Sequence, residues 1–263
     1  MFKHNSIPVG LTLTLIFALA VPLTLVGQSN LENVHLFQSY HFDTPITKTK
    51  LVEGDIAFSN YDGGSAFSMG ARGVYPVNEK LEIDAQLHFA NSKIDNFDGK
   101  SGLTDIGVYG RYFLKKQDKT TFSAGGVITL PIGSDKLYSS NYLFQALGSS
   151  VLNFGAFGAM RHILQNGMIF TANAGLFFFE APSYSDSDRE TSFNIGVGTI
   201  YPYSAKMNIV GELYQMSKFD FMMLSGGVDY NLGKGKKARG MLGLGLDDGA
   251  PDLMILGGYE ITL

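Results

Sequence analysis

"LEIDAQLHFAN", residues 81–91, alternates apolar and polar side chains without a slip. Leu81, Ile83, Ala85, Leu87 and Phe89 share one face; Glu82, Asp84, Gln86 and His88 share the other. Successive side chains of a strand point to opposite faces, so this stretch predicts a strand with one oily and one polar side. The same period of two recurs at 50–60, 65–76, 80–92, 102–114, 120–131, 149–163, 168–180, 191–201, 206–217, 220–232, 239–246 and 252–262. That is about twelve strands, most of them near the nine to eleven residues a tilted strand needs to cross a bilayer.

Two architectures accept such a pattern. In a soluble sandwich the oily face meets a core and the polar face meets water. In a membrane barrel the oily face meets lipid and the polar face lines a lumen. The first 27 residues bear on the choice. Lys3 precedes an apolar run from Val9 to Val26, interrupted by Pro22 and followed at Gly27–Gln28 by polar chain. This reads as a secretory signal peptide over 1–27, cleaved after Gly27, in preference to an anchor helix.

Loop lengths point the same way. "NSKIDNFDGKS", "IGSDKLYSSNYLFQALGS" and "APSYSDSDRE" alternate with the short "PVNE", "KKQDK", "LQNG", "PYSA" and "GKGKKA". Long loops at one end and tight turns at the other mark outer-membrane barrels, whereas a sandwich has no reason to sort loops by parity. The polar faces also carry charge in mid-strand: Glu82, Asp84, His88, Asp105, Arg111, Arg161, Glu212, Asp229 and Glu260. An Arg turned to lipid at the midplane would cost about 2–4 kcal/mol, so these belong inside. The expectation is an all-β, transmembrane, antiparallel up-and-down barrel over 49–263. Residues 28–48 would form a tail, an extra strand or a plug, with His35 and His41 in a flexible leader.

Composition narrows the chemistry. No cysteine is present, so disulfides, thiolate metal sites and cysteine nucleophiles are excluded. A net charge of −4 lacks the basic footprint of nucleic-acid binding. The densest basic cluster, "KGKK" at 234–237, reads as a solvated turn. Glycine, 32 of 263 residues without a collagen period, suits strongly curved sheets. His88 and Ser92 stand four residues apart, about 13 Å along a strand, too far for a nucleophile and its base. Metal and cofactor motifs are missing, so no enzyme and no cofactor is expected.

Parity turns Phe177, Phe179, Tyr214 and Phe221 inward near the loop-bearing ends, where they would form an aromatic mouth for oily ligands. The competing reading packs these rings under the loops. The charges would either select ions or fill and rigidify the lumen. The expected partners are outer-membrane lipid, small solutes and, through the closing strand "GGYEITL", the barrel-assembly machinery.

Three segments in order carry a resemblance: "SGLTDIGVYGRYFL" at 101–114, "AGGVITLPIGSDK" at 124–136 and "GLGLDDGAPDLMILGGYEITL" at 243–263. They are similar to motifs of the phenol-degradation meta-pathway family of outer-membrane proteins. Thr104 stands where that family usually has Gly, and Leu263 replaces a final aromatic. The resemblance implies an outer-membrane barrel passing small, hydrophobic or aromatic molecules. The alternatives are a structural or surface-interaction barrel with a filled lumen and, behind it, an outer-membrane lipid-modifying enzyme.

Overall fold

The computed structural model describes residues 33–95, 98–133, 152–180, 189–218 and 220–263. Thirteen strands form one sheet: β1 (Leu51–Tyr61), β2 (Gly64–Pro76), β3 (Leu81–Ile94), β4 (Lys100–Leu103), β5 (Ile106–Gln117), β6 (Thr120–Leu130) and β7 (Asn153–Ile163) come first. They are followed by β8 (Ile169–Glu180), β9 (Arg189–Pro202), β10 (Met207–Met216), β11 (Phe221–Gly233), β12 (Lys236–Gly245) and β13 (Leu253–Thr262). Sequence neighbours pair antiparallel, except that β4 and β5 both pair with β3, and β1 pairs with both β2 and β13, from Leu51↔Thr262 to Asn60↔Leu253. The sheet therefore closes as twelve strands plus β4. Closure pairs both sides of the twelve long strands, whose open edges hydrocarbon would penalise by about several kcal/mol per unpaired group; β4 adds to β3 alone.

Burial then decides the sidedness. Ile56, Met69, Leu242 and Leu244 are each more than half exposed, while Glu53, Glu82, Arg111 and Asp229 are at most 2% exposed. A single closed sheet with apolar side chains outside and ionised ones inside is the inverse of a soluble fold. The oily row of "LEIDAQLHFAN" points outward and its acids point inward.

The expected strand 102–114 is corrected. It starts at Lys100, breaks at Thr104–Asp105 and resumes to Gln117. β3 pairs with β5 over Leu81–Gln86 and with β4 over Phe89–Ser92. Between them the Thr104 N–H donates to the His88 carbonyl at 2.8 Å, and the His88 N–H donates to Thr104 Oγ1 at 3.1 Å. A side-chain oxygen thus replaces a carbonyl in the ladder. Two successive residues, Thr104 and Asp105, face inward, so Leu103 turns outward instead of following parity. The start of the expected strand 149–163 also moves: β7 begins at Asn153, and residues 149–151 lie outside the described residues.

Tight turns form where the chain tolerates positive φ. β11 and β12 meet through Lys234 and Gly235 at φ 53° and 71°, the left-handed pair that a two-residue hairpin requires. Asp118, at φ 51°, opens the equally short β5–β6 turn. These turns share one end of the barrel with Lys50 and Leu263, and this is called the short-turn end below.

Candidate functional site: the lumen and the segment inside it

The lumen of the short-turn half is occupied by the chain itself. Val34 to Pro45 and Thr47 are buried, with one 3-10 turn at Tyr40–Phe42. His35 and His41, expected in a flexible leader, are 1% and 8% exposed. The leader has no period because the wall holds its backbone, which leaves no side-chain pattern to read.

Glu212 on β10 makes the densest contact. One carboxylate oxygen accepts the N–H groups of Phe37 and Gln38 at 3.0 and 2.8 Å. The other accepts the N–H of Ser39 at 2.8 Å and its hydroxyl at 2.5 Å. Three consecutive N–H groups around one anion form a nest, with the wall supplying the anion. Asn173 on β8 donates to Ser39 Oγ at 3.0 Å and closes the cluster.

A second carboxylate is held in the reverse sense. Asp43, in the inner segment, accepts from Arg161 Nη2 on β7 at 2.6 Å and from the Thr171 hydroxyl on β8 at 2.9 Å. The same Arg161 nitrogen donates to the Val34 carbonyl at 2.7 Å. Arg111 donates to the Asp43 carbonyl at 2.8 Å and to Glu82 at 2.6 Å, while Glu82 takes the N–H of Thr47. Arg239 donates to the carbonyls of His35 and Leu36 at 2.9 and 3.2 Å.

Arg72, paired with Glu53, sits 3.1 Å over the centre of the Tyr40 ring. Burial raises the Tyr40 hydroxyl above the ordinary tyrosine range, with Arg72 opposing. His41 stacks on Tyr109 at 3.7 Å and reaches Asp84 and Gln86 at 2.8 and 2.9 Å. Burial lowers its pKa, and Asp84 works against that shift. Glycine clears room for the segment. A Cβ on Gly198 would stand 2.6 Å from Leu36, and one on Gly227 would stand 2.6 Å from Phe37.

The remaining sequence-predicted residues separate. Asp229 lies 3.5 Å from Arg239, and Glu260 lies 3.3 Å from Lys237. Lys237 also donates to the Asn33 carbonyl, so "KGKK" is corrected from a wholly solvated turn: its last lysine is half-buried and holds the inner segment. Asp105 stands apart from the Glu82–Asp84–Arg111 group and accepts the Gly133 N–H at 2.8 Å. His88 crosses Gly70 to reach Asp55 on β1 at 3.1 Å.

Of the four aromatic residues, Phe177, Tyr214 and Phe221 belong to one buried apolar cluster. Phe177 packs 5.1 Å from Phe42 of the inner segment, whereas Tyr214 packs 6.2 Å from Phe221, and Phe179 is half-buried. Asn194 Nδ2 donates to the Tyr214 hydroxyl at 2.9 Å, and Met216, Met223 and Met254 complete the apolar side.

Glu53, Arg72 and Arg239 belong to the same charged ring but were missing from the sequence-based set. Their inward parity was available: Glu53 lies opposite Val52, and Arg72 and Arg239 fall between glycines and small residues that blur the alternation.

No family model matches the chain, and no curated protein matches it. Solved structures do. The COG4313 outer membrane channel from Pseudomonas putida F1 superposes with a TM-score of 0.64 at 13% identity, covering 85% of this chain and 98% of that one. The KdgM porin, solved in complex with disordered oligogalacturonate, gives 0.56 at 9% identity over 81% of this chain and 99% of its own. The NanC porin gives 0.53 at 10% identity over 81% and 100%. The fold is that of outer-membrane channels and porins.

Proposed function

We propose that this chain is an outer-membrane channel for small solutes, hydrophobic or aromatic ones among them, and that residues 33–48 are its plug. The observation that carries this reading is the hold on the inner segment. Beside the apolar contacts of Leu36, Phe37 and Phe42, it is built from hydrogen bonds and ion pairs that water can replace, set inside a barrel whose neighbours are channels and porins. The short-turn end, with both ends of the barrel domain, faces the periplasm, as short turns do in such barrels. Residues 1–27 direct export and are then removed. The outward apolar rows meet outer-membrane lipid, and β13 is the handle for the barrel-assembly machinery. The resemblance to the meta-pathway family and the rings of Phe177, Phe179, Tyr214 and Phe221 favour aromatic cargo. The inward charges Glu82, Asp84, Arg111, Arg161 and Glu212 serve first to seat the plug and, once it leaves, line the passage.

One observation favours a second reading, a structural barrel with a permanently filled lumen: Val34 to Pro45 are buried throughout. Planar-bilayer recording separates the two. The full-length chain should show rare openings, and Glu212→Ala, which strips the nest of its anion, should show sustained conductance. Silence from both variants at every applied voltage would discard the channel in favour of the filled barrel.

A further inference from the structure

Among the groups inside the barrel, His35 has surroundings that suit only one of its two charge states. Neither ring nitrogen has a hydrogen-bond partner among the described residues, and the ring is 1% exposed. Its one ring neighbour among the described residues is Tyr40, at 4.3 Å between centroids. The charges that act on it most are cations from three strands: Arg111 on β5, Arg161 on β7, and Arg239 and Lys237 on β12. The acids facing this region are engaged elsewhere. Asp43 holds Arg161 and Thr171, Glu212 holds the N–H groups of residues 37–39, Asp229 faces Arg239, and Glu260 faces Lys237. The other plug histidine differs, because His41 lies 2.8 Å from Asp84 and a proton there has a counter-charge.

We infer that His35 makes the plug acid-sensitive: a proton on His35 is rejected by the seated plug and accepted by the released one, so acid drives the channel open. This rests on the reading of residues 33–48 as a removable plug. Burial first, and then the four cations, hold His35 well below its ordinary value of 6.5 in the seated state. In the released segment the ring is solvated and titrates near its ordinary value, about 6.5. The contribution of His35 to plug seating is therefore complete above that pH and is lost as pH falls through it towards the depressed value. One proton taken up on release raises the open-to-seated ratio by up to about tenfold per pH unit, or about sixteenfold between pH 6.5 and 5.

The test is time-averaged conductance per channel of the full-length protein in planar bilayers, titrated from about pH 7.5 to about 5 with both chambers at equal pH. Wild type should open progressively below about pH 6.5. His35→Phe and His35→Gln, which cannot take up the proton, should stay flat over the same range. Either variant suffices, provided it keeps the heat-modifiable gel shift of a folded barrel. Wild-type slope retained in both variants would overturn the inference, because other groups would then carry the response. So would a flat wild type measured beside a conducting Glu212→Ala, which shows that the plug can leave but acid does not drive it. If Glu212→Ala is silent as well, the plug reading itself falls and the inference with it.

Discussion

The two halves of the lumen are built from opposite kinds of contact. At the short-turn end, Glu82, Arg111, Arg161, Glu212 and Arg239 aim directional hydrogen bonds at a neighbouring chain segment. Towards the loop-bearing end, Phe157, Phe177, Tyr214, Phe221, Met216, Met223 and Met254 make a soft apolar side, with His88 and Asp55 on the strands facing it. Directional contacts fix one register of the segment, because each unsatisfied buried partner costs about 1–3 kcal/mol. Rings and thioethers accept many shapes and specify none. The lower half is thus suited to holding one occupant and the upper half to tolerating several.

The largest expected effect comes from Glu212. Replacing it by Ala leaves three backbone N–H groups and one hydroxyl without their acceptor, and hydrogen bonds to charged groups are worth about 1.5–3 kcal/mol each. Seating of the inner segment should weaken by about 3 kcal/mol or more, a rise in open probability of more than about a hundredfold. An open probability within threefold of wild type would break the contrast between the halves.

Next in size is the Asp43–Arg161 pair. A double-mutant cycle with Asp43→Asn and Arg161→Ala, read by the same conductance, should return a coupling of about 1–3 kcal/mol. Additive single effects would show that Asp43 seats independently of Arg161. The apolar side should give less. Phe42→Ala and Phe177→Ala are expected to couple by only about 1 kcal/mol beyond their lost area, and a larger value would erase the distinction drawn here.

The smallest effect belongs to the rim. Lys218 and Glu190 pair at 2.5 Å but are 47% and 28% exposed. Lys218→Ala should shift thermal unfolding of the folded gel band by an amount equivalent to less than about 1 kcal/mol. A greater loss would mean that the loop-bearing end is held by charge after all.

How much of this was legible depended on which atoms do the work. Strands that expose one face to lipid must alternate in sequence, so the twelve-strand closure and the inward placement of Glu82, Arg111 and Glu212 follow from parity. The break at Thr104–Asp105 also left a trace, since Leu103 and Ile106 stand three apart where alternation requires an even spacing. The residues around 33–48 left none. "VHLFQSYHFDT" has neither helical nor strand periodicity because its order comes from main-chain bonds to Glu212, Arg161 and Arg239. Lys237 was obscured by its neighbours: three exposed residues of the same turn made the fourth look like them.

The grip on the inner segment falls mainly on the carbonyls of Val34, His35, Leu36, Tyr40 and Asp43 and the N–H groups of Phe37, Gln38 and Ser39. Those atoms are common to nearly every amino acid, so the cylinder recognises a path through space more than a spelling. Inherited changes in the tenant can accumulate where changes in its housing cannot. A protein engineer can exploit the same asymmetry by threading foreign peptides along that path.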